Sequence, residues 1–407
     1  MIFLTGSTGF LGREILCRLL VAYPKEEFCL LVRQKQNIKP QARIQSLVTD
    51  IFGESRALKI LSRISVLQGD LNLDGFGLGD ERLNWLARNT TKVFHSGADV
   101  SFTQTLAESR AVNVGGTSRI LDFVKLAQRL GNTGVSLHYV STAYVAGDVE
   151  TVVSADQLNP AGIFKNNYEK TKAEAEALVR AESHSLRSVI YRPSIIVGDS
   201  ITGQTTSFNV IYVPAKYVVK GLLTAMPAHP KTPCDIVPVD YVADSVIKLS
   251  EIPLASGSCF HLCSGVGREP TLMEIVEKLV ATFNKYVAKE LRLPNMIQSE
   301  IAALAQLSFQ AAMASMKHLE KFFGNRFETI MSRVLPYLLY MNRNPRFDNT
   351  STIAALSGIM PPAPHFLDYA ENIFEYCLHT NWGRNPWTNP SRHATWVQRL
   401  RPEALGV

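Results

Sequence analysis

An apolar run at the very start of the chain, Ile2-Phe3-Leu4, gives way to Thr5-Gly6-Ser7-Thr8-Gly9-Phe10-Leu11-Gly12. A stretch with Leu16, Leu19 and Leu20 on one helical face follows at once. Three glycines spaced by three, between a strand pattern and a helix pattern, leave few folds open. The turn needs a backbone that only glycine adopts freely, the loop must let a ligand approach the main chain, and the helix must pack tightly on the strand. The helix N-terminus then presents unpaired amides, which suit the pyrophosphate of a dinucleotide. On this reading Gly6, Thr8, Gly9, Phe10, Leu11 and Gly12 form a phosphate cradle.

The rest of the first half repeats the alternation. Strand patterns fall at Phe28–Val32, Ile64–Leu67, Val93–His95, Leu137–Val140 and Val189–Tyr191, with helical stretches at Arg13–Ala22 and Gly116–Leu130. Short β-rich runs separated by helices predict a parallel sheet covered on both faces. Asp235–Val239 and Cys259–Leu262 are sheet-like again, whereas Gly198–Thr205 has the composition of a loop. From about residue 268 the strands stop, and Leu272–Phe283 and Ile301–Phe323 have helical spacing, the second with a methionine-rich stripe. The predicted architecture is an α/β chain of Rossmann type, a doubly wound parallel sheet with a smaller, mostly helical C-terminal substrate domain. The nucleotide domain takes residues 1–195 and 232–265, and the substrate domain takes 196–231 and 266–407.

A chain of 407 residues with 46% hydrophobic content can bury a large core and exceeds what one compact core usually holds. Its six cysteines lack paired spacing, which suits reduced thiols in a cytoplasmic protein. Cys259 and Cys263, in Cys-Phe-His-Leu-Cys, have only His261 beside them, so a buried strand is expected there and no metal site. A formal charge of +6 is modest and not gathered into basic runs, which argues against nucleic acid. No run is apolar enough to span a bilayer, and the chain runs from Met1 straight into the glycine turn with no basic n-region or cleavage site. Val334–Met341 is too short to span; it could line a pocket, touch a membrane surface, or form a buried helix broken at Pro336. The stretch from Asn381 to Val407, with Trp382, Trp387 and Trp396, reads as an arm packed on the body or partly mobile.

A site specific for NAD carries an acid at the end of the second strand, where it receives the ribose hydroxyls. Arg33 and then Lys35 stand there instead, which favours the 2′-phosphate of NADPH. Gly69-Asp70-Leu71, after the third strand, is placed to hold the adenine edge through Asp70, or to form a simple turn.

The chemistry is carried by Tyr168 and Lys172. A tyrosine hydroxyl, with a pKa of about 10, is a useful acid near neutrality only if its anion is stabilised. A lysine four residues on shares its helical face, where an ammonium lowers that pKa and reaches the nicotinamide ribose. Upstream, Val140-Ser141-Thr142-Ala143 ends a strand at the sheet edge where ligands bind. A hydroxyl there can donate to a carbonyl oxygen as negative charge develops. Thr142 is the candidate, with Ser141 as the alternative.

The order of glycine cradle, Asn113, Thr142, Tyr168, Lys172 and Arg192-Pro193-Ser194 resembles the extended short-chain dehydrogenase/reductase family. Thr-Gly-Ser-Thr-Gly-Phe-Leu-Gly, Leu-Val-Arg33, Gly69-Asp70-Leu71, Val-Phe-His-Ser-Gly-Ala-Asp-Val, Val-Ser-Thr-Ala-Tyr-Val and Tyr-Arg-Pro-Ser-Ile-Ile-Val-Gly-Asp-Ser are similar to the thioester reductase and fatty acyl-CoA reductase branch, the male-sterility type. The likeness covers about residues 1–265, and Asn344–Thr350 is similar to reductase C-terminal segments. It implies NADPH-dependent reduction of an acyl thioester to an aldehyde, with a second step to the alcohol open. It implies Thr142, Tyr168 and Lys172 as the catalytic set. It also implies cofactor contacts at Arg33, Asp70, Leu71, Asn113, Lys172, Pro193 and Ile195. The implied partners are a hydrophobic acyl group on coenzyme A or an acyl carrier protein. Asp99 stands where such proteins commonly have a small residue or threonine.

Two other readings share these residues. One is a dehydrogenase or reductase of a hydroxyl or carbonyl group on a steroid, or a nucleotide-sugar epimerase; the apolar patterning of 301–341 favours a greasy substrate over a sugar. The other is a catalytically silent nucleotide-binding regulator, which the presence of acid, lysine and hydroxyl donor disfavours.

Overall fold

The computed structural model describes residues 1–35, 37–287, 290–296 and 324–387, with isolated positions at 314, 316, 317, 320 and 391. Its centre is a parallel sheet of seven strands. We label these β1 (Ile2–Thr5), β2 (Phe28–Val32), β3 (Ile64–Gln68), β4 (Lys92–His95), β5 (Ser136–Val140), β6 (Arg187–Pro193) and β7 (Ser258–Leu262). Their order across the sheet is β7-β6-β5-β4-β1-β2-β3, so the direction of strand addition reverses between β1 and β4. Such a reversal opens a crevice at the carboxyl ends of the strands. Side-chain alternation splits the core in two: Ile2, Leu4, Leu30 and Phe94 pack on one face and Phe3, Cys29, Leu31 and Val93 on the other. Because both faces are covered, β1 and β2 are buried along their whole length.

The helices that matter for the site are α1 (Phe10–Ala22), α2 (Pro40–Phe52), α3 (Leu106–Arg129), α4 (Asn167–Ala181), α5 (Tyr212–Val219), α6 (Leu272–Tyr286), α7 (Phe327–Leu338) and α8 (Phe366–His379). α3 begins well before the expected Gly116. Thr105 and Glu108 form a capping box that satisfies its first amides, so the helix runs on through Gly115 and Gly116. A second capping box, Thr271 with Glu274, starts α6.

Two sequence expectations are corrected. Strands do not stop near 268: Asn295–Met296 pairs with Ala225–Met226, and Arg346–Phe347 with Val152–Val153. Two-residue strands are too short to leave a periodic signal. Nor does Pro336 break its helix; α7 continues to Leu338 with Pro336 inside it. Asp235–Val239 contributes Ile236–Pro238, which pairs with Ile195–Val197 apart from the main sheet. Trp396 and, apart from isolated positions, the expected helix at 301–323 lie outside the described residues.

A third core lies beyond the carboxyl edge of the sheet, built from Ile195, Tyr212, Ile275, Ile330, Phe366, Ile373 and Trp382. The loop at 198–205 is pinned onto α8. A Cβ on Gly203 would stand 2.0 Å from Asn372 O, and Asn372 Nδ2 donates to Ser200 O at 2.8 Å. Trp387 stacks on His379, with ring centroids 4.6 Å apart. Among the described residues no helix is long and apolar enough to cross a membrane.

Candidate active site

The cradle has the tight geometry that the glycine spacing predicts. Gly6 has a φ of +76°, and a Cβ there would lie 2.6 Å from Gly97 N; one on Gly12 would lie 2.0 Å from Gly6 O. No side chain caps the N-terminus of α1, so its first amides remain available to a ligand. A nucleotide fits such a place because the backbone itself must do the binding.

Two clefts meet at the cradle and share Gly9, Ser96 and Ala98. One, of about 350 Å³, is lined by Gly6, Thr8, Arg33, Lys35, Arg43, Asp70 and Leu71. The other, of about 580 Å³, is lined by Phe10, Leu11, Gly12, Thr142, Tyr168, Lys172, Pro193 and Ile195. The candidates are thus gathered along one continuous groove, with one exception. Asn113 lines neither cleft: its Nδ2 donates to Asp99 O and Thr171 Oγ1, and its Oδ1 accepts from Asp99 N at 2.8 Å. It anchors the loop after β4 to α4.

Arg43 was not anticipated. It enters from the first turn of α2, donating to Thr8 Oγ1 at 2.8 Å and to Arg33 O at 2.7 Å. Burial and the charge of Arg33 lower its pKa. Pro40 at the start of α2 marks the turn that carries it, yet only the fold brings that turn over the cradle. Arg33 is largely exposed and lies 3.9 Å from Asp70, whose Oδ1 also accepts from Asn72 N in a turn.

In the second cleft Tyr168 is the second residue of α4, two positions after its N-cap Asn166. Burial pushes its pKa up to about 12, opposed by a hydrogen bond with Thr142 and reinforced by Glu169 and Asp99. Burial lowers Lys172 to about 7, opposed by Glu176. The lysine lies one turn on, as its spacing predicts, but its ammonium donates to Tyr139 OH at 2.9 Å and Val140 O at 2.8 Å. The expected lowering of Tyr168 by Lys172 is therefore replaced by a net rise, because the end of β5 holds the lysine and desolvation dominates the tyrosine.

The two hydroxyl candidates separate by their partners. Ser141 Oγ donates to Glu176 Oε2 at 2.6 Å, inside a buried cluster. There Arg192 meets Glu176 at 2.7 Å and 3.0 Å, and Arg180 meets it at 2.7 Å. Thr142 Oγ1 makes only a long bond to Pro193 O, 3.4 Å, accepts from Tyr144 N at 3.3 Å, and is the hydroxyl that reaches Tyr168. Phe102, Tyr144, Tyr337 and Tyr340 form an aromatic wall on the far side; Phe102 lies 6.0 Å from Tyr168 and 5.7 Å from Tyr340 between ring centroids. Cys259 and Cys263 are free and buried, and Cys263 Sγ donates to Phe347 O.

A groove with a phosphate cradle at its centre and hydroxyl donors at one end defines a dinucleotide-binding protein of the short-chain dehydrogenase/reductase type. A family model described as male sterility protein, an NAD-binding domain, matches residues 4–246. The chain belongs to that family, the thioester reductase and fatty acyl-CoA reductase branch of the extended short-chain dehydrogenases/reductases. It is 30% identical over 283 residues to the nonribosomal peptide synthetase asaC of Aspergillus flavus, covering 67% of this chain and 27% of that protein. It is 26% identical over 439 residues to fatty acyl-CoA reductase 1 of Gallus gallus, covering 93% and 83%. The chain spans between 27% and 53% of the length of the first three relatives. The terminal R domain of the myxalamid PKS-NRPS pathway superposes with a TM-score of 0.74 at 23% identity, over 95% of this chain and 92% of that one. UDP-glucuronic acid 4-epimerase of Bacillus cereus has the same fold, at 0.61 and 15% identity.

Proposed function

We propose that this chain is an NADPH-dependent reductase that converts an acyl thioester into an aldehyde and a free thiol. The observation that carries the reading is the meeting of the Thr142 and Tyr168 hydroxyls with an aromatic-walled cleft that continues the nucleotide groove. When bound, the reduced nicotinamide supplies the hydride. Thr142 and Tyr168 donate to the carbonyl oxygen, holding the negative charge that develops on it. With a pKa pushed up to about 12, Tyr168 is protonated near neutrality and serves as the acid. The thiolate then leaves as the tetrahedral centre collapses to the aldehyde. Overall, thioester, NADPH and a proton yield aldehyde, thiol and NADP⁺; a second reduction would give the alcohol.

Arg33, Lys35 and Arg43 gather positive charge at the far end of the cradle, and no acid stands at the end of β2. This supports NADPH over NADH. The relatives named as fatty acyl-CoA reductases and as peptide synthetases support coenzyme A or a carrier protein as the thiol, and a solved thiolation-reductase di-domain shares the fold. Six unpaired, buried cysteines fit a reducing, cytoplasmic setting. The test is NADPH consumption with acyl-coenzyme A, steroid ketones and simple aldehydes side by side, with NADH as control. Thioester-dependent consumption is expected; activity confined to the ketones would overturn the reading.

A further inference from the structure

Lys172 is buried, and its ammonium has three hydrogens to place and no lone pair. Two of them go to Tyr139 OH at 2.9 Å and Val140 O at 2.8 Å, and the charge stands 4.4 Å from the centre of the Tyr139 ring. Because the lysine can only donate, the Tyr139 oxygen accepts, and the hydroxyl hydrogen must point elsewhere. It turns to Thr117 on α3. Thr117 spends its own hydrogen on Asn113 O at 2.7 Å, so its oxygen accepts from Tyr139 and from His95 Nε2 at 3.4 Å. The other ring nitrogen, His95 Nδ1, then accepts from Thr5 Oγ1 at 2.7 Å, and Thr5 Oγ1 in turn accepts from Gly97 N at 3.3 Å. Tyr139, Thr117, His95 and Thr5 are all buried. Each hydrogen in this thread has one place to go, so the Tyr139 hydroxyl is not free to turn.

We propose that Tyr139 is a positioning residue: with Val140 O it fixes two hydrogens of Lys172 and so turns the third into the groove that Lys172 lines with Tyr168. This rests on the reading of that groove as a reductase site with Tyr168 as its acid. A lysine stem is flexible, and without the hydroxyl only the carbonyl would hold the ammonium. A hydrogen bond to a charge also counts for more where both groups are desolvated. Burial lowers Lys172 to about 7, against the pull of Glu176. The titratable groups around it keep their charge near that pH. His95 on β4 is lowered by burial to about 3, and burial raises Tyr139 on β5. On α4, Glu176 is held low by Arg192 despite its burial, and Tyr168 is pushed up to about 12 by burial. A titration near neutrality in this cluster therefore belongs to Lys172.

The test is Tyr139→Phe, which keeps the ring beside the ammonium and removes only the acceptor. The NMR signal of the Lys172 ε-carbon, identified by its loss in Lys172→Met, is followed in protein without cofactor from about pH 5 to about pH 9. Since the lost bond favours the charged form, the midpoint should fall by about one pH unit. With acyl-coenzyme A and saturating NADPH, kcat should fall about tenfold while the KM for NADPH changes less than about twofold. Thr117→Val, which frees the Tyr139 hydroxyl to turn, should move the midpoint the same way by less, and serves alone if Tyr139→Phe does not fold. Titration of NADPH fluorescence establishes that each variant is folded. A midpoint unmoved in the folded variants, or a kcat unchanged where the midpoint moves, overturns the positioning role and leaves the reductase reading intact. A shifted midpoint in a protein whose wild type consumes no NADPH with any thioester supports the anchoring of Lys172 and overturns the reductase reading.

Discussion

At the residue scale the site is a contest between desolvation and hydrogen bonding. Tyr168 is held protonated by burial, so its loss removes an acid and leaves the nucleotide groove untouched. Tyr168→Phe should lower kcat about 10²–10³-fold with little change in NADPH affinity, measured by steady-state kinetics and fluorescence titration. Lys172 titrates near 7 in the folded chain and near 10.5 in the unfolded one. Between those values the unfolded state binds more protons, so this residue makes stability rise with pH across that window. The melting temperature of wild type should climb from about pH 7 toward pH 10 relative to Lys172→Met; parallel curves would contradict the assignment. Arg43 grips Thr8 beside the cradle. Arg43→Ala should weaken NADPH about 10- to 100-fold and NADH hardly at all, as for loss of a charge-assisted contact to phosphate.

Elements transmit these positions. α4 carries both Tyr168 and Lys172, and it is locked to the sheet through Glu176, whose carboxylate receives Arg192 from β6 and Ser141 beyond β5. Arg192→Leu leaves that carboxylate buried with Arg180 as its remaining cation, and should cost about 3 kcal/mol in urea unfolding; a change below about 1 kcal/mol would refute this role. The elements differ in how plainly their residues announce them. The sheet strands show as β-rich runs because both faces are buried, and the cradle is legible because three glycines sit where backbone meets backbone. α3 was half legible: Thr105 and Glu108 carry a capping signature, but Gly115 and Gly116 interrupt the periodic pattern where the helix in fact continues. The two-residue strands at 152–153 and 346–347 owe their existence to contacts distant in sequence, and nothing local encodes them.

Over the whole molecule, the region after β7 closes one side of the site. Lys165, just before α4, is buried and donates to Arg343 O and Asn344 Oδ1, and Tyr340 reaches Glu169 beside Tyr168. Arg343 in turn pairs with Asp148. This is why the residues of the glycine, Thr142 and Tyr168–Lys172 motifs could be named from the sequence whereas Arg43, Tyr337 and Tyr340 could not: their roles depend on which segment the fold lays against them. Asn113 shows the same limit from the other side. Its place in the motif order is clear, yet its side chain is spent on holding the loop at Asp99. Under the proposed function, hydride and proton delivery at this groove split a thioester. The most direct measurement follows free thiol and NADPH together in one reaction with an acyl-coenzyme A. Thiol should appear in step with NADPH loss, one for one if reduction stops at the aldehyde and one for two if it proceeds to the alcohol. NADPH consumption with no thiol released would contradict it.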